Sequence, residues 1–344
     1  MQELLGRIHT LDPHASESIR IIACFDELMA GGVTMHGLVA AAAALSGSAA
    51  GAEYAGRVVR VARSGEALGA DPAAGVRRGH EDDGVRVWIE GDEASARLND
   101  DLLLERLSLA VRMRRDHADR TPPRRDLALL LDPAVPEPDR LEAASRLRLS
   151  SEETFRVVLA PLFATWKAHP RGPEDVVATA SGPLHVALTR ESDDHPAGTP
   201  AGIGIAAPLR DLSISFRTAM VAVRLHDGIS VEASHADDLG GLAVTLADLA
   251  QQSGHEDRAR IESVTAHSWG EATLDAITRT TTMREAARVL GIHPSTMAAR
   301  VDSLTAALGF DPMTGLGRTR LGIGFLLWRV QSSTVLDAVT ISAD

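Results

Sequence analysis

The segment that constrains this chain most is residues 282–301, close to the end of the sequence. Thr282 and Glu285 have the spacing of a capping box, in which the two side chains satisfy backbone N–H groups at the start of a helix. Gly291 follows two turns later and tolerates the positive φ of a tight turn. Pro294 suits the first position of a second helix because its φ is fixed. The segment therefore predicts two short helices joined by a glycine turn.

Apolar spacing predicts how these two helices pack. The apolar residues of the first helix recur at three- and four-residue intervals and share one face: Met283, Ala286, Ala287 and Leu290. The apolar residues of the second helix lie within about 60° of one another around the helix axis, at a rotation of 100° per residue. They are Met297, Val301, Leu304 and Leu308. Ile292 anchors the turn. The pattern is that of a helix-turn-helix, whose second helix reads DNA bases from the major groove.

The outward side of the second helix carries small polar groups, which let a helix lie deep in a groove. Arg284 and Arg288 are predicted to contact phosphates, the alternative being a solvated helix face. Arg300 is predicted to touch DNA, the alternative being an ion pair with Asp302 or a neighbouring acid. His293 fits a helix cap better than a base reader. The predicted DNA-binding residues are Arg284, Arg288, His293, Ser295, Thr296, Ala299, Arg300 and Ser303.

The ordered combination of these features resembles the Fis-type helix-turn-helix and, more closely, the C-terminal domain of PucR/CdaR-type transcriptional regulators. Leu308–Pro312 and Arg320–Leu327 match the Gly-Asp segment and the Leu-rich final helix of that family. The sequence departs from the family pattern at Pro294-Ser295 and at Met297. The resemblance implies a transcription regulator that binds double-stranded operator DNA as a homodimer or higher homo-oligomer, controlled by a small molecule or a partner at its N-terminal domain.

The resemblance extends upstream. Gly202–Gly204, Arg217–Leu225 and Asp238–Leu242 are similar to a degenerate GGDEF-like module, and Leu38–Gly51 is similar to the start of a GAF-like sensor. The implied fold is multidomain α+β, with a GAF-like α/β domain, a ferredoxin/cyclase-like α/β module and an all-α C-terminal domain. The implied domains are 1–118 (sensor), 119–150 (helical linker), 151–253 (GGDEF-like), 254–330 (helix-turn-helix) and 331–344 (tail).

Local patterns in the first two modules predict individual elements. In the first module the predicted helices are Ser18–Met29, Met35–Leu45 and Asp100–Met113, and the strands are Gly56–Val61 and Val85–Ile89, with a polar loop over Gly69–Gly84. In the second, the predicted strands are Arg156–Ala160, Pro183–Leu188, Ala201–Ala206 and Ile229–Val231, and the helices are Leu212–Leu225 and Asp238–Gln251. That order indicates a small sheet with helices packed on it.

Residue usage argues against an enzyme. Lys167 is the only lysine and follows Trp166, so no phosphate-binding P-loop is present. A diguanylate cyclase needs metal-binding acids on a Gly-Gly hairpin, which the middle module lacks, and Gly91-Asp92-Glu93 is interpreted as a chance match. Gly202-Ile203-Gly204 lacks the third glycine of a dinucleotide fingerprint.

Neither a cofactor nor a metal site is predicted. The single cysteine, Cys24, lies in an apolar run and is interpreted as a buried structural thiol. Three clusters combine histidine with acids, and solvated loops and helix caps explain them better than metal sites do. They are His80–Asp83, Asp193–His195 and His235–Asp238.

The formal charge of −12 is unusual for a DNA-binding protein, but its distribution permits the function. Residues 268–330 hold seven arginines and five acids, so that segment carries +2 and the rest −14. No apolar run reaches the roughly 18 residues of a membrane span, and the N-terminus lacks a secretory pattern, so a cytoplasmic location is expected. Arginine in place of lysine, with abundant alanine, indicates an actinobacterial origin. The alternative function is a ligand-binding signalling protein whose helix-turn-helix serves protein–protein contacts.

Overall fold

The computed structural model describes residues 13–71, 75–118, 125–194, 196–226, 232–252 and 254–337, with the side chains of 13, 14 and 116–118 excepted. The chain is a mixed α/β protein, and its internal contacts divide it into two compact units. The α/β unit comprises the described residues within 1–238 and 334–344. The helical unit comprises those within 239–333.

The α/β unit begins with two helices, α1 (Pro13–Ala30) and α2 (Met35–Ser46), followed by the first sheet. This sheet contains β1 (Ala50–Tyr54), β2 (Arg57–Val61), β3 (Val76–Asp82) and β4 (Val85–Glu90), all antiparallel in the order β2-β1-β4-β3. The long helix α3 (Asp100–Ala118) packs on it. The helices buried against this sheet supply most of one apolar core, which includes Phe25, Leu38, Ile89 and Leu107.

The predicted helices and strands of this first layer are confirmed, but the loop predicted over Gly69–Gly84 is wrong in its second half. Val76–Asp82 forms an edge strand that pairs with β4. Asp83 and Gly84 both have positive φ, 49° and 70°, as the tight turn of a hairpin requires. Most side chains of this strand are exposed, and accordingly they are polar. A prediction based on alternating apolar residues therefore missed the strand.

The second layer of the α/β unit starts with α4 (Asp126–Leu131) and α5 (Glu137–Arg146). Its main sheet contains β5 (Thr154–Ala160), β7 (Glu174–Thr179), β8 (Gly182–Arg190), β10 (Gly202–Ile203) and β12 (Ser234–His235), in the order β12-β10-β5-β8-β7. β11 (Ala207–Pro208) pairs with β5, and β6 (Thr165–Ala168) forms a separate ribbon with β9 (Ala197–Thr199). Helix α6 (Leu212–Arg224) packs on β5 and β10.

The segment assigned to a linker contributes to the core of this second layer. The short helices α4 and α5 are amphipathic, and their apolar residues are buried with those of β5, β8 and α6. Those from the two helices are Leu127, Leu130, Leu131, Ala143 and Ala144. Leu336, from the segment assigned to a tail, is buried in the same core. The predicted strand Ile229–Val231 lies outside the described residues.

The helical unit contains α7 (Leu242–Leu249), α8 (Glu256–Thr265), α9 (Gly270–Arg279), α10 (Met283–Val289), α11 (Pro294–Leu308) and α12 (Gly315–Ser332). The helix predicted over Asp238–Gln251 is shorter than expected, because a 3₁₀ turn at Ala236–Leu239 and two glycines precede Leu242. Helices α8 to α12 enclose an apolar core built around Ile261, Leu274, Met297, Leu304 and Phe325. Across the described residues, no helix combines the length and apolar character needed to cross a bilayer.

Candidate functional site

Helix α10 begins with the capping box that its sequence predicts. The hydroxyl of Thr282 accepts a hydrogen bond from the Glu285 N–H at 3.2 Å, and the Glu285 carboxylate accepts one from the Thr282 N–H at 3.2 Å. The Glu285 carboxylate also accepts hydrogen bonds from the hydroxyl and the N–H of Thr281, and together these bonds lower its pKa. The helix start is therefore fixed by contacts within five residues.

The turn between α10 and α11 is also confirmed. Gly291 adopts a φ of 64°, a left-handed conformation that is unfavourable for residues other than glycine. His293 is the N-cap of α11, as predicted: its Nδ1 accepts a hydrogen bond from the Ser295 N–H at 3.3 Å. Pro294 occupies the first helical position. The four apolar residues predicted to face inward on α11 are all buried: Met297, Val301, Leu304 and Leu308.

The remaining surface of this helix pair is polar and accessible. Arg284 and Arg288 are exposed one turn apart on α10, and within the described residues neither side chain makes an ion pair or a hydrogen bond. Other arginines of the helical unit are neutralised by carboxylates: Arg258, Arg260, Arg279 and Arg320. On α11 the predicted contact residues Ser295, Thr296, Ala299 and Ser303 are exposed.

Arg300 differs from the other predicted contacts because it is bound within the helical unit. Its Nη1 donates a hydrogen bond to the hydroxyl of buried Thr273 at 3.1 Å. Its guanidinium carbon lies 5.6 Å from the ring centroid of Trp269, a cation–π distance. These contacts join α11 to α9 and take the place of the ion pair with Asp302 that the sequence left open.

Two of the three acidic clusters considered in the sequence contribute carboxylates to ion pairs. Asp82 and Asp83 pair with Arg112 and Arg115 of α3, and Asp237 pairs with Arg156 at 2.8 Å. His195, in the cluster Asp193–His195, lies outside the described residues. Cys24 is fully buried, and that burial raises the pKa of its thiol to about 12, as suits a structural residue.

A different cluster, which sequence reasoning missed, brings two histidines to one carboxylate in the α/β unit. His169 follows β6, Glu174 begins β7, and His185 lies within β8. The Nε2 atom of His169 lies 2.9 and 3.1 Å from the two oxygens of Glu174, and the Nε2 atom of His185 lies 2.7 Å from one of them. These three residues are the His–Glu–His cluster.

Groups around the His–Glu–His cluster hold it in place. The other ring nitrogen of His169, Nδ1, lies 3.3 Å from the Glu27 carboxylate of α1. Gly32 donates its N–H to Glu174 at 2.9 Å, and a Cβ at Gly31 would lie 2.2 Å from the same carboxylate. The Gly31-Gly32 break between the first two helices therefore makes room for Glu174.

Burial and hydrogen bonding set the protonation of this region. Burial alone would raise the pKa of Glu174, but the hydrogen bonds from His169 and His185 outweigh it and lower that pKa to about 2. The hydrogen bond to Glu174 raises the pKa of His169 despite its partial burial. The neighbouring Asp175 is buried, which raises its pKa to about 6, although hydrogen bonds from Thr34 and the Val176 N–H oppose the shift.

No local signal could have found the His–Glu–His cluster. Its members are separated by other residues, and they meet only because β7 and β8 pair with Val176 opposite His185. Strand β7 was not predicted, so its register with β8 was unknown.

The α/β unit also contains an open cavity of about 500 Å³. Ala44 and the segment Thr179–Pro183 line one part of it, and Arg63, Ser64 and Asp337 contribute polar groups. Small-molecule sites commonly enclose about 300–1,000 Å³. The cavity is therefore large enough for a small ligand.

Comparison with known proteins yields no family. No protein-family model matches the chain, and no curated protein matches it significantly. The resemblance to PucR/CdaR-type regulators therefore stays an expectation that rests on residues 282–327 and the upstream segments named above.

Proposed function

We propose that this protein is a sequence-specific DNA-binding transcription regulator whose helical unit contacts operator DNA through α10 and α11. The observation that carries the proposal is the pair of exposed guanidinium groups at Arg284 and Arg288, which lack a carboxylate partner among the described residues. Arginines without a carboxylate partner, on the helix that precedes α11, are suited to contacting DNA phosphates. Neutralisation of phosphates supplies most of the non-specific affinity of a protein for DNA.

The surface of α11 supports base reading in the same proposal. Ser295, Thr296, Ala299 and Ser303 are small, so DNA can approach the helix backbone closely. Its N-terminal turn, capped by His293, is the part that such helices place against base edges. Binding of this kind commonly uses two copies on half-sites about 34–36 Å apart, so we propose that the protein acts as a homodimer or higher homo-oligomer.

An electrophoretic shift with DNA from the protein's own upstream region tests this proposal. We expect the full-length chain to shift a specific fragment at low salt. The double variant Arg284→Gln/Arg288→Gln should weaken binding to all sequences and reduce the slope of log affinity against log salt by about 2, because two phosphate contacts are lost. Arg279→Gln is the matched control, since that arginine is exposed but paired with Asp275 at 2.9 Å.

Thr296→Ala examines the reading surface separately. Because a base contact contributes about 1–3 kcal/mol of discrimination, the variant should lose specific binding while retaining non-specific binding. The proposal fails if the wild type shows no sequence-specific shift at low salt. It also fails if the double arginine variant and Thr296→Ala both bind like the wild type.

We assign Arg300 to the packing of α11 against α9 rather than to direct contact with DNA. Arg300→Ala should lower the melting temperature of the helical unit while leaving the salt slope unchanged, because its guanidinium is bound to Thr273 and Trp269. Unchanged stability with a salt slope reduced by about 1 would instead make Arg300 a phosphate contact.

A second candidate is a ligand-binding signalling protein whose helix-turn-helix serves protein–protein contacts. It is favoured by two exposed apolar residues of the helical unit, Val289 at 59% and Leu316 at 76% exposure. Isolated apolar residues of this kind are common on protein surfaces, so we rank it second. It predicts no sequence-specific shift at all, whereas the DNA-binding proposal expects Val289→Ser to shift DNA like the wild type.

We further propose that a small molecule controls the regulator from the cavity of the α/β unit. Arg63 and Asp337 supply opposite charges at that cavity, and Ala44 and Pro183 supply apolar surface. Native mass spectrometry of the purified full-length chain should show a retained small molecule. Ser64→Trp should displace it, because Ser64 is an exposed residue of the cavity lining. A wild type without any retained mass, or an adduct unaffected by the variant, contradicts this site.

A further inference from the structure

The His–Glu–His cluster has the donor set of a transition-metal site. Two imidazole nitrogens and a carboxylate oxygen lie within 4.8 Å of one another, and Glu174 and His185 are buried. Two histidines with one glutamate are a known ligand set for Zn²⁺ sites with three protein ligands and one open position. Ca²⁺ and Mg²⁺ prefer oxygen ligands only, so the pair of imidazoles selects against them.

The distances between these atoms are close to what tetrahedral coordination needs. Bonds of about 2.0–2.2 Å place neighbouring ligand atoms of a tetrahedral zinc roughly 3.3 Å apart. The Nε2 atoms of His169 and His185 lie 2.9 and 2.7 Å from the same Glu174 oxygen. Each of these two separations is within about half an ångström or slightly more of the spacing in a tetrahedral site.

The surroundings have the arrangement that supports metal-bound histidines. Such a histidine commonly directs its other nitrogen at a carboxylate, which fixes the ring and increases its basicity. Glu27 provides that carboxylate for His169, and the Gly32 N–H orients Glu174. Trp166 contacts both imidazole rings edge-on, with centroid distances of 5.9 and 5.8 Å, so it limits their rotation.

Charge and access are also compatible with a cation. Three carboxylates lie at or beside the cluster, those of Glu174, the neighbouring Asp175, and Glu27 next to His169. One guanidinium, that of Arg114, interacts electrostatically with Glu174 and Asp175. With neutral histidines the local formal charge is −2, which a divalent ion balances. The His169 side chain is 24% exposed and so offers an entry path from solvent.

We propose that His169, Glu174 and His185 bind a divalent transition-metal ion, Zn²⁺, through two imidazole Nε2 atoms and one carboxylate. Glu27 supports the site through His169, so the ion connects α1 to the paired strands β7 and β8. The proposal rests on the α/β unit alone and is independent of the DNA-binding proposal. A purely hydrogen-bonded triad of the same residues is the outcome against which it is tested.

The test is a titration of the chelator-treated full-length chain with Zn²⁺, followed by calorimetry and by thermal unfolding. We expect one ion per chain and a rise in the melting temperature. His169→Gln and His185→Gln should weaken binding by more than about 100-fold, and Glu27→Gln by about 10-fold, because it removes only the supporting carboxylate. His80→Gln is the control, since that histidine lies beside Glu81 and Asp82 but outside the cluster.

Binding of Co²⁺ in place of Zn²⁺ gives a second measurement of the site. This measurement does not require that the variant of the buried His185 folds. Co²⁺ bound by the wild type should give the visible absorption bands of a tetrahedral site with nitrogen and oxygen ligands. These bands should be absent in His169→Gln, whose partly exposed side chain makes it the safer variant. Absence of stoichiometric Zn²⁺ binding by the wild type overturns the proposal. Undiminished binding in His169→Gln, with the fold confirmed by circular dichroism, overturns it equally.

Discussion

The two units of this protein bury different kinds of side chain. In the described part of the helical unit, Thr273 is the only buried polar residue. The α/β unit buries many charged groups, among them Arg60, Arg77, Glu90, Asp100, Arg156, Glu174 and Asp175. The helical unit is thus held by apolar packing that local spacing predicts, whereas the α/β unit also depends on polar pairs between residues far apart in sequence.

The largest effect that this comparison predicts is the loss of a buried ion pair in the first sheet. Arg60 and Glu90 pair at 2.6 Å with side chains only 3% and 5% exposed. Removing one partner of such a pair leaves an uncompensated charge and typically costs 3–5 kcal/mol. We therefore expect Glu90→Gln to reduce the free energy of unfolding of the α/β unit by about 4 kcal/mol, measured by hydrogen exchange of its peptides.

Acid should reduce the effect of that substitution. The hydrogen bond from Arg60, with a smaller one from Trp88, lowers the pKa of Glu90 below its usual 4.5 although burial opposes the shift. A carboxyl with a lowered pKa in the fold stabilises above its unfolded pKa, and that contribution is lost as the pH falls through the folded value. The difference between wild type and Glu90→Gln should therefore shrink below about pH 4.5.

Glu53→Gln is the control for both measurements, because Glu53 lies in the same sheet but pairs with Arg86 at 3.9 Å on the exposed surface. Its effect should stay within about 1 kcal/mol. A loss as large as that of Glu90→Gln would remove the distinction between buried and exposed pairs on which the comparison rests.

The next effect concerns the apolar core of the helical unit. Leu304 is fully buried between the helices, so Leu304→Ala should leave a cavity and cost about 3 kcal/mol. Exchange should increase in peptides of α8 to α12. Leu316→Ala, at a leucine that is 76% exposed, should change the stability by less than about 0.5 kcal/mol. Equal effects of the two variants would contradict a unit held by core packing.

A smaller effect is expected at the turn between α10 and α11. Gly291 has a φ of 64° and nothing within 4 Å of an added Cβ, so Gly291→Ala should cost only the backbone penalty of about 1–2 kcal/mol. Gly322→Ala in the middle of α12 also meets open space but should stabilise by about 0.5–1 kcal/mol, because alanine favours helix. Thermal unfolding should therefore show shifts of opposite sign, and shifts of the same sign would refute this account of the turn.

The smallest effect is expected at the capping box. Thr282→Ala removes the acceptor for the Glu285 N–H and should cost about 1 kcal/mol. Thr282→Ser should restore most of that stability, because a serine hydroxyl caps equally well. A serine variant as unstable as the alanine variant would show that the methyl group of Thr282, rather than its oxygen, matters.

Predictability from sequence follows the same division between the units. The helix pair over 282–308 was predicted because its signals lie within a few residues of one another: a cap, a glycine turn, a proline and two apolar stripes. The polar edge strand Val76–Asp82 was missed, as were Ala50–Tyr54 and Glu174–Thr179. These strands lack a clear apolar alternation of their own, and pairing with neighbours makes them strands.

The candidate site was predictable only in part. The exposure of Arg284 and Arg288 follows from helical periodicity, since the opposite face carries the buried Ala286 and Ala287. The contacts of Arg300 do not, because Thr273 lies 27 residues away on another helix. A long flexible side chain chooses its partner by proximity in the fold, and local spacing contains no information about that choice.

The sequence alone thus determined where the helix pair over 282–308 begins, turns and buries its apolar faces, because capping, glycine conformation and periodicity act over one or two turns. Tertiary structure alone decided which polar groups far apart in sequence meet. Glu174 reaches His185 through the pairing of β7 and β8, and it reaches Gly32 across 142 residues of sequence. These contacts contribute to stability because the groups are buried, and burying a charge without a partner is costly in free energy.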